Sequence, residues 1–328
     1  MIRSEEQILA LLDEFFPRGH HSLRLGRGDD CAELGPSGSL ALSTDIFLED
    51  EHFRRSYFSP EEIGHKALAV NLSDLAAAGA APLGFSLGLI CPKEFPAADL
   101  RGIFSGMSAL ARRYDLALSG GDISAGDKLG FCVTVWGEAA PGSASFLRRG
   151  AASGDLLFTV GPASAYCSLG LAHNGLLFLE AQGRAAVHAA PGSCAALLRP
   201  EPQVEAGLLL AGLKGRIGLM DLSDGLLRDL PRLLNGFGAE LDFEGAILHP
   251  ELGAEALQRA ASGGDDYLLL GAAAPDLVNE AEKALSGLGL RLDILGRVLA
   301  EPGLFRQGQP IYQHIKIQAF DHFARENE

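Results

Sequence analysis

Helix and strand patterns alternate along most of this 328-residue chain, and this alternation constrains the fold more than any other feature. Ser4-Glu5-Glu6-Gln7 has the pattern of a capping box, and apolar residues follow it at helical spacing until Pro17. Residues 40–48 then have the pattern of a strand. Ser59-Pro60-Glu61-Glu62 begins a second helix, which is predicted to end near Gly79. We therefore predict an α/β protein.

A turn-rich, weakly hydrophobic stretch at residues 141–145 is the best candidate for a domain boundary. We predict an N-terminal domain of residues 1–140 and a C-terminal domain of residues 141–328. Further elements are predicted on both sides of the boundary. Before it, strands are expected at 85–90, 116–118 and 130–138, with a helix at 97–114. After it, strands are expected at 155–160, 216–220, 267–270 and 292–295, with helices near 202–212, 224–234, 253–261 and 275–287.

Charge and composition exclude several classes of protein. The net charge of −15 and the pI of about 5.0 argue against a nonspecific clamp for nucleic acid. Five widely separated cysteines show no zinc-like spacing and are interpreted as reduced thiols. No apolar run approaches the ~20 residues of a membrane span, and the N-terminus lacks an apolar signal region. We expect a cytoplasmic protein that binds neither membrane nor nucleic acid.

Six short motifs place an aspartate beside glycine or a small hydroxyl residue. They are Gly28-Asp29-Asp30, Ser43-Thr44-Asp45, Asn71-Leu72-Ser73-Asp74, Gly120-Gly121-Asp122, Asp221-Leu222-Ser223-Asp224 and Gly263-Gly264-Asp265-Asp266. Each motif alone is an ordinary turn or helix-cap signal. If the fold gathers the carboxylates, they repel one another by ~4 kcal/mol per pair at about 4 Å, for an effective dielectric of about 20. Mg²⁺ is then the natural counterion, because it binds a few carboxylates and completes its coordination with water and phosphates.

The placement of these aspartates supports a common site. Asp45, Asp122 and Asp221 come at or just after predicted strand ends, where binding sites in α/β proteins often form. On the second predicted helix, Asn71 and Asp74 are three residues apart and share a face. We therefore predict metal-dependent phosphoryl chemistry.

The usual nucleotide-binding motifs are absent from the sequence, including the P-loop and the dinucleotide fingerprint. Phosphates would have to be held by Mg²⁺, by backbone N–H groups at turns such as Gly120-Gly121, and by a few basic side chains. Arg148 and Arg149 are candidates for the basic side chains, although two exposed arginines are more often solvated. His52, which follows an acidic run, is either a site residue or a surface residue.

The motifs resemble those of thiamine-monophosphate kinase in order and spacing over nearly the whole chain. The long block at residues 66–77 and the block at residues 220–226 are specific, whereas Gly-Gly-Asp alone is weak. The matching segments are Gly28-Asp29-Asp30-Cys31-Ala32, Ser43-Thr44-Asp45 with His52-Phe53, residues 66–77, Gly120-Gly121-Asp122, residues 220–226, residues 262–267 and Phe320-Asp321-His322-Phe323.

This resemblance implies transfer of the γ-phosphoryl group of ATP, as co-substrate, onto the phosphate of thiamine monophosphate, giving thiamine diphosphate. It also implies a homodimer and an α/β (α+β) fold of two domains, like that of aminoimidazole ribonucleotide synthetase, with mixed sheets covered by helices. The N-terminal domain would bind ATP and Mg²⁺ and form the dimer. The C-terminal domain would complete the nucleotide and substrate site.

The resemblance also assigns roles to residues. Asp45, Asp122 and Asp221 would be the catalytic residues. Several Mg²⁺ ions would be held by Asp30, Asp45, Asp74, Asp122 and Asp221, with Ser43, Thr44 and Asp224 as supporting ligands. ATP would contact Gly121, Asp122, Arg148 and Ser223, and thiamine monophosphate would contact His52, Asp265 and Phe320. Because the acceptor is already an anion, catalysis would need alignment and charge neutralisation more than a strong base.

Three positions depart from the family pattern. Ile123 and Ser124 stand where two threonines are usual, and Asp265 replaces a glutamate in Gly-Gly-Glu-Asp-Tyr. The turn that begins at Gly161 lacks its usual second glycine. None of these changes affects the five proposed metal aspartates.

Two alternatives remain open at this point. One is a related ATP-dependent enzyme with another acceptor, although the chain lacks the reactive N-terminal cysteine of selenophosphate synthetases and the C-terminal cysteine of hydrogenase-maturation relatives. The other is a catalytically silent nucleotide-binding protein. The complete aspartate set argues against a catalytically silent protein, because a site without a catalytic role would be free to lose mutually repelling carboxylates.

Overall fold

The computed structural model describes residues 1–2, 4–27, 31–36, 38–139, 148–163, 168–243, 246, 248–313 and 315. Helices and strands alternate along the described chain, which confirms the predicted α/β class. The chain divides into two compact units, Met1–Ser145 and Phe146–Glu328.

The first unit is a four-stranded mixed sheet with helices on one face. The sheet order is β3-β6-β4-β5, in which β4 and β5 are parallel and the other pairs are antiparallel. Helix α2 packs on the sheet and on α3, and α1 packs on α3. The elements of this unit are α1 (Glu5–Phe15), β1 (Leu23–Leu25), β2 (Glu33–Leu34), β3 (Leu40–Leu48), α2 (Pro60–Ala77), β4 (Ala80–Pro92), α3 (Ala97–Arg113), β5 (Ala117–Gly126) and β6 (Gly130–Ala139).

Local sequence signals explain the main elements of this unit. Ser59 and Glu62 form a capping box at the predicted start of α2: each side chain accepts a hydrogen bond from the other residue's backbone N–H, at 3.3 and 2.8 Å. In β6, Phe131, Val133 and Val135 are buried on the side covered by α2. This alternation confirms the predicted strand and fixes which face of the sheet forms the core.

Two strand positions differ from the prediction. Asp45 lies inside β3 and Asp122 lies inside β5, rather than at strand ends. The sequence suggested a short strand at 116–118, because Gly120, Gly121 and Asp122 all have low strand propensity. Pairing with the full length of β4 extends β5 through these residues, with an irregularity beside Phe85 that accommodates the extra residue.

The second unit contains a seven-stranded mixed sheet and most of the helices. The sheet order is β13-β12-β9-β11-β7-β10-β8, and α8 packs near β8, β9 and β10. Its elements are β7 (Leu156–Pro162), α4 (Leu171–Gln182), α5 (Ala186–Ala189), α6 (Pro191–Leu198), α7 (Val204–Ala211), β8 (Ile217–Asp221), α8 (Leu226–Leu234), β9 (Gly238–Leu241), α9 (Ala256–Ser262), β10 (Leu269–Ala273), α10 (Pro275–Ser286), β11 (Leu290–Leu299), β12 (Gly303–Arg306) and β13 (Gln309–Pro310).

The eight elements predicted in this unit are present, whereas α4, α5, α6 and the short strands β9, β12 and β13 were not predicted. Strand β10 starts at Leu269, two residues later than expected, because Asp265 and Tyr267 have left-handed φ values of 67° and 49°. Apolar side chains from α8, β9, β10 and β11 form one buried core beneath this sheet. Within the described residues, no helix combines the length and apolarity that crossing a membrane requires.

Candidate functional site

Asp45 and Asp74 form a carboxylate pair in the first unit. Asp45 projects from β3 toward α2, which carries Asp74, and Ser43 Oγ donates a hydrogen bond to the Asp74 carboxylate at 2.5 Å. Burial and, to a smaller extent, the charge of Asp74 together raise the pKa of Asp45 to about 6. Two carboxylates and a hydroxyl thus meet where a bound cation would relieve both burial and repulsion.

Asn71 holds Asp45 in place. Its side chain is fully buried, and its Oδ1 accepts a hydrogen bond from the backbone N–H of Asp45 at 3.1 Å. Its Nδ2 donates to the carbonyl oxygen of Ala67, one turn earlier in α2, at 3.0 Å. Asn71 therefore fixes the position of α2 relative to β3, and this position sets how close Asp74 lies to Asp45.

The structure does not bring Thr44 and Asp122 to this pair. Thr44 alternates with Asp45 along β3, and its hydroxyl lies 2.8 Å from that of Thr134 on the opposite face. The register of the sheet aligns Asp122 with Gly88, Cys132 and Ile46, in a row on that same opposite face. We call this the outer face, the side of the four-stranded sheet that α2 does not cover.

Gly121 has a conformation that only glycine adopts easily. Its φ is +150°, and a Cβ atom here would lie 1.9 Å from the carbonyl oxygen of Leu87. A side chain at this position would therefore push β5 away from β4. The glycine of the Gly-Gly-Asp motif keeps the strand pairing next to Asp122.

His52 and Arg148 are two further residues predicted for the site. His52 follows β3, and its Nδ1 accepts a hydrogen bond from the backbone N–H of Leu48 at 3.1 Å, so a neutral ring carries its proton on Nε2. Arg148 is an exposed residue in the turn that precedes β7. Asp30 and Phe320 lie outside the described residues.

The second unit brings two of the predicted motifs together. Asp221 is the last residue of β8 and is buried, and the loop after it carries Ser223. The backbone N–H of Asp265 donates to the carbonyl oxygen of Ser223, and that of Tyr267 donates to the carbonyl oxygen of Leu222, both at 2.8 Å. The loops at 221–225 and 263–267 are therefore joined by backbone hydrogen bonds at the end of β8.

Asp229, a buried aspartate outside the predicted site residues, organises the first of these loops. Asp229 Oδ2 accepts hydrogen bonds from the backbone N–H groups of Ser223 and Asp224, at 3.1 and 3.0 Å. Arg232 bridges Asp229 and Asp224, at 2.7 and 2.9 Å. Burial raises the pKa of Asp229 above its ordinary range. Asp224, predicted as a supporting metal ligand, is therefore held by an arginine side chain.

Asp266, the neighbour of Asp265, anchors the start of α4. Its carboxylate accepts hydrogen bonds from the backbone N–H groups of Gly170 and Ala172, at 2.6 and 3.3 Å. The residue is partly exposed, but its carboxyl group is enclosed, and this burial raises the pKa of Asp266 to about 8. Asp266 thus joins the loop that carries Asp265 to a helix almost one hundred residues away.

The sequence carries a weak signal for one of these two positioning residues. Asp229 occupies the first turn of α8, where a carboxylate commonly accepts free backbone N–H groups. No comparable local signal marks Asp266, because its partners are distant along the chain.

The similarity of this chain to known proteins extends over almost its whole length. Thiamine-monophosphate kinase of Escherichia coli strain K12 is 34% identical over 332 residues, which cover 96% of this chain and 98% of that protein. This chain belongs to the thiamine-monophosphate kinase family. The family member of Bacillus subtilis strain 168 is 32% identical over 290 residues, covering 85% of this chain and 86% of that protein. Residues 28–139 match the family model described as AIR synthase related protein, N-terminal domain.

Solved structures agree with this membership in the thiamine-monophosphate kinase family. The enzyme of Stenotrophomonas maltophilia K279a is 32% identical, covers 94% of this chain and 98% of its own, and has a TM-score of 0.81. The structure of AaThiL complexed with AMPPCP and TMP is 25% identical, covers 98% and 99%, and has a TM-score of 0.74. The hydrogenase maturation protein HypE of E. coli, 21% identical with a TM-score of 0.75, shares the fold. The predicted aminoimidazole ribonucleotide synthetase-like fold is confirmed.

Proposed function

We propose that this chain transfers the γ-phosphoryl group of ATP to the phosphate of thiamine monophosphate, producing ADP and thiamine diphosphate. The observation that carries this proposal is the end-to-end similarity to thiamine-monophosphate kinases, which leaves the Asp45, Asp74 and Asp221 motifs intact. The AMPPCP and TMP bound by a related protein represent the two substrates.

The side chains present fit a magnesium-dependent reaction. Asp45, Asp74 and Ser43 offer only oxygen atoms, as do Asp221 and Asp224 of the second unit, and oxygen ligands are those that Mg²⁺ prefers. The raised pKa of Asp45 indicates a place where positive charge is favourable. When bound, Mg²⁺ supplies neutralisation and alignment of the two phosphates. Asp30 is a further proposed ligand, whereas Asp122 and Thr44 lie on the outer face and would hold Mg²⁺ only at a position apart from the Asp45–Asp74 pair.

The remaining roles concern the two substrates. We assign Gly121, Asp122, Arg148 and Ser223 to ATP, and His52, Asp265 and Phe320 to thiamine monophosphate. The left-handed φ of 67° explains the short side chain at position 265, because aspartate tolerates this conformation better than most residues. The first unit would then bind metal and nucleotide, and the second unit would carry further residues for nucleotide and substrate.

A product assay tests this function. The purified chain is incubated with ATP and Mg²⁺ and with either thiamine monophosphate or thiamine, and the thiamine phosphates are separated by chromatography. We expect thiamine diphosphate from thiamine monophosphate, and no phosphorylation of thiamine, because thiamine lacks the acceptor phosphate. Nucleotide binding that depends on Mg²⁺ but yields no thiamine diphosphate would contradict the proposal and favour another acceptor or a silent binding protein.

We also propose that the chain forms a homodimer through the outer face. Strand β3 is an edge strand, and its Leu40, Leu42 and Ile46 side chains are 42, 64 and 63% exposed, with Ile90 of β4 at 44%. An exposed apolar stripe along an unpaired strand edge is a typical protein interaction surface. A second copy that covers this stripe would also bring Asp122 close to the contact between the two chains.

A double variant tests the dimer. Leu42→Lys with Ile46→Lys places two charges in the stripe, and we expect its mass by light scattering to be that of one chain, whereas the unmodified protein has the mass of two. Leu288→Lys, at an exposed leucine of the second unit, is the matched control and is expected to remain dimeric. A double variant that stays dimeric, or an unmodified protein that is monomeric, would rule out this interface.

A further inference from the structure

His20, His21 and Asp115 form a compact cluster of possible metal ligands in the first unit. The two histidines lie between α1 and β1, and Asp115 lies between α3 and β5. His20 Nε2 is 3.2 Å from Asp115 Oδ1, and His21 Nδ1 is 3.6 Å from Asp115 Oδ2. One ligand atom from each of the three residues lies within 4.8 Å of the other two. Ninety-four residues of sequence separate His21 from Asp115, so spacing rules for zinc motifs do not detect this cluster.

The contacts of His20 orient its ring so that the Nε2 atom faces Asp115. Ser22, a buried residue, donates its hydroxyl hydrogen to the carbonyl oxygen of Leu83 at 3.1 Å, and its Oγ lies 2.7 Å from His20 Nδ1. The backbone N–H of Ser22 also donates to His20 Nδ1, at 3.3 Å, so the ring is held through Nδ1 and its Nε2 atom faces Asp115. Outer partners that fix the orientation of the imidazole ring are common around histidines that bind metals.

The backbone on both sides keeps the cluster in place. Asp115 has a left-handed φ of 52°, and its N–H donates to the carbonyl oxygen of Arg112 at 3.3 Å, in the turn that ends α3. On the other side, the carbonyl oxygen of His20 accepts from the backbone N–H of Leu23 at 3.0 Å. The side chain of His20 is 15% exposed, whereas those of His21 and Asp115 are 67 and 78% exposed. Solvent therefore reaches the cluster from one side.

The donor set selects the class of metal. Two imidazole nitrogens and a carboxylate suit Zn²⁺ and similar d-block cations, whereas Mg²⁺ and Ca²⁺ prefer oxygen ligands alone. Tetrahedral Zn²⁺ with bonds of about 2.0–2.1 Å has ligand atoms about 3.3 Å apart. Each imidazole nitrogen lies near this distance from one oxygen of Asp115: His20 Nε2 is 3.2 Å from Oδ1, and His21 Nδ1 is 3.6 Å from Oδ2.

We propose that His20, His21 and Asp115 bind a divalent cation of the Zn²⁺ class, at a site separate from the carboxylates proposed to bind Mg²⁺. Water on the exposed side completes the coordination. The bound cation ties the segment after α1 to the segment that enters β5, the strand that contains Gly121 and Asp122. Its role is to fix the start of that strand.

Calorimetric titration with Zn²⁺ in a large excess of Mg²⁺ tests this site, because Mg²⁺ occupies all-oxygen sites and competes poorly for imidazole. We expect the unmodified protein to bind one more equivalent of Zn²⁺ than His21→Ala. Asp115→Asn, which tolerates the left-handed backbone, is expected to weaken that binding by more than about tenfold, since loss of an outer partner alone costs about 10- to 100-fold. Imidazole nitrogen resonances of His20 should shift with Zn²⁺ in the unmodified protein.

His188→Ala is the matched control, because His188 is an exposed histidine of the second unit. It should bind as much Zn²⁺ as the unmodified protein. The exposed thiols of Cys31 and Cys132 are common to all variants, so their binding cancels in the comparison. Equal Zn²⁺ uptake by the unmodified protein, His21→Ala and Asp115→Asn would overturn the proposal and leave the cluster as a histidine–aspartate ion pair.

Discussion

Asp45→Asn is expected to lower turnover by at least about 100-fold in a protein that remains folded. Loss of one preorganised group that stabilises developing charge commonly costs about 10²–10³ in rate. Asp45 lies beside Asp74 and is held by the buried Asn71, so the substitution removes charge without removing the hydrogen bond from its backbone N–H. The measurement is the rate of thiamine diphosphate formation at saturating ATP and Mg²⁺.

The same variant is expected to be more stable than the unmodified protein when metal is absent. The pKa of Asp45 rises on folding from an ordinary value of 3.8 to about 6, so the charged carboxylate opposes folding at neutral pH. This cost appears as pH rises from about 4 through 6, and the neutral amide of the variant avoids it. We expect a gain of about 1–2 kcal/mol in the free energy of unfolding at pH 7, after allowance for solvent screening.

Asp127→Asn is the matched control, because Asp127 is an exposed aspartate in the loop between β5 and β6 of the same unit. Its turnover and its stability should both remain close to those of the unmodified protein. If Asp45→Asn retains near-normal turnover, Asp45 has no catalytic role. If it is less stable without metal at pH 7, burial and the charge of Asp74 do not make the Asp45 carboxylate oppose folding.

Asp229→Ala is expected to destabilise the protein by about 3 kcal/mol and to disorder the loop at 221–225. The substitution leaves the backbone N–H groups of Ser223 and Asp224 without their acceptor, and each unsatisfied buried group costs about 1–3 kcal/mol. Because Ser223 and Asp224 belong to the proposed nucleotide and metal sites, turnover should fall as well. Chemical denaturation measures the first effect, and the product assay measures the second.

Arg232→Ala separates this structural role from simple ion pairing. Arg232 contacts the same carboxylate but is 40% exposed, so water can replace its hydrogen bonds in part. We expect its effect on stability to be about 1 kcal/mol or less. If Asp229→Ala and Arg232→Ala destabilise the protein equally, the backbone hydrogen bonds to Asp229 do not organise the loop.

Elements with strong local signals could be predicted from the sequence. Helix α2 has its own cap at Ser59, and β6 alternates buried and exposed side chains. Helices α4 and α6 could not be predicted in this way, because distant carboxylates accept their first N–H groups. Asp266 accepts hydrogen bonds from backbone N–H groups at the start of α4. Glu251 accepts hydrogen bonds from the backbone N–H groups of Gly192 and Ser193 at the start of α6. Tertiary contacts replace local caps in both helices.

The candidate site was predictable in its chemistry but not in its geometry. The aspartate motifs indicated a magnesium site, and the structure does place Asp45 near Asp74. A strand sequence does not reveal which of its two faces meets a given helix, so Thr44 and Asp122 were grouped with Asp45 although the sheet register puts them on the outer face. Asp266 was missed because its partners become neighbours only in the folded chain, and Asp229 was missed because its place in the first turn of α8 is only a weak local signal.

The most direct test of the proposed function follows the phosphoryl group itself. The chain is mixed with ATP labelled in its γ-phosphate, Mg²⁺ and thiamine monophosphate, and the label is located among the separated products. We predict that the label appears in thiamine diphosphate, with one ADP formed for each molecule of product, and that removal of Mg²⁺ with EDTA abolishes the transfer. Label found only in inorganic phosphate, or thiamine diphosphate that carries no label, would contradict direct transfer from ATP.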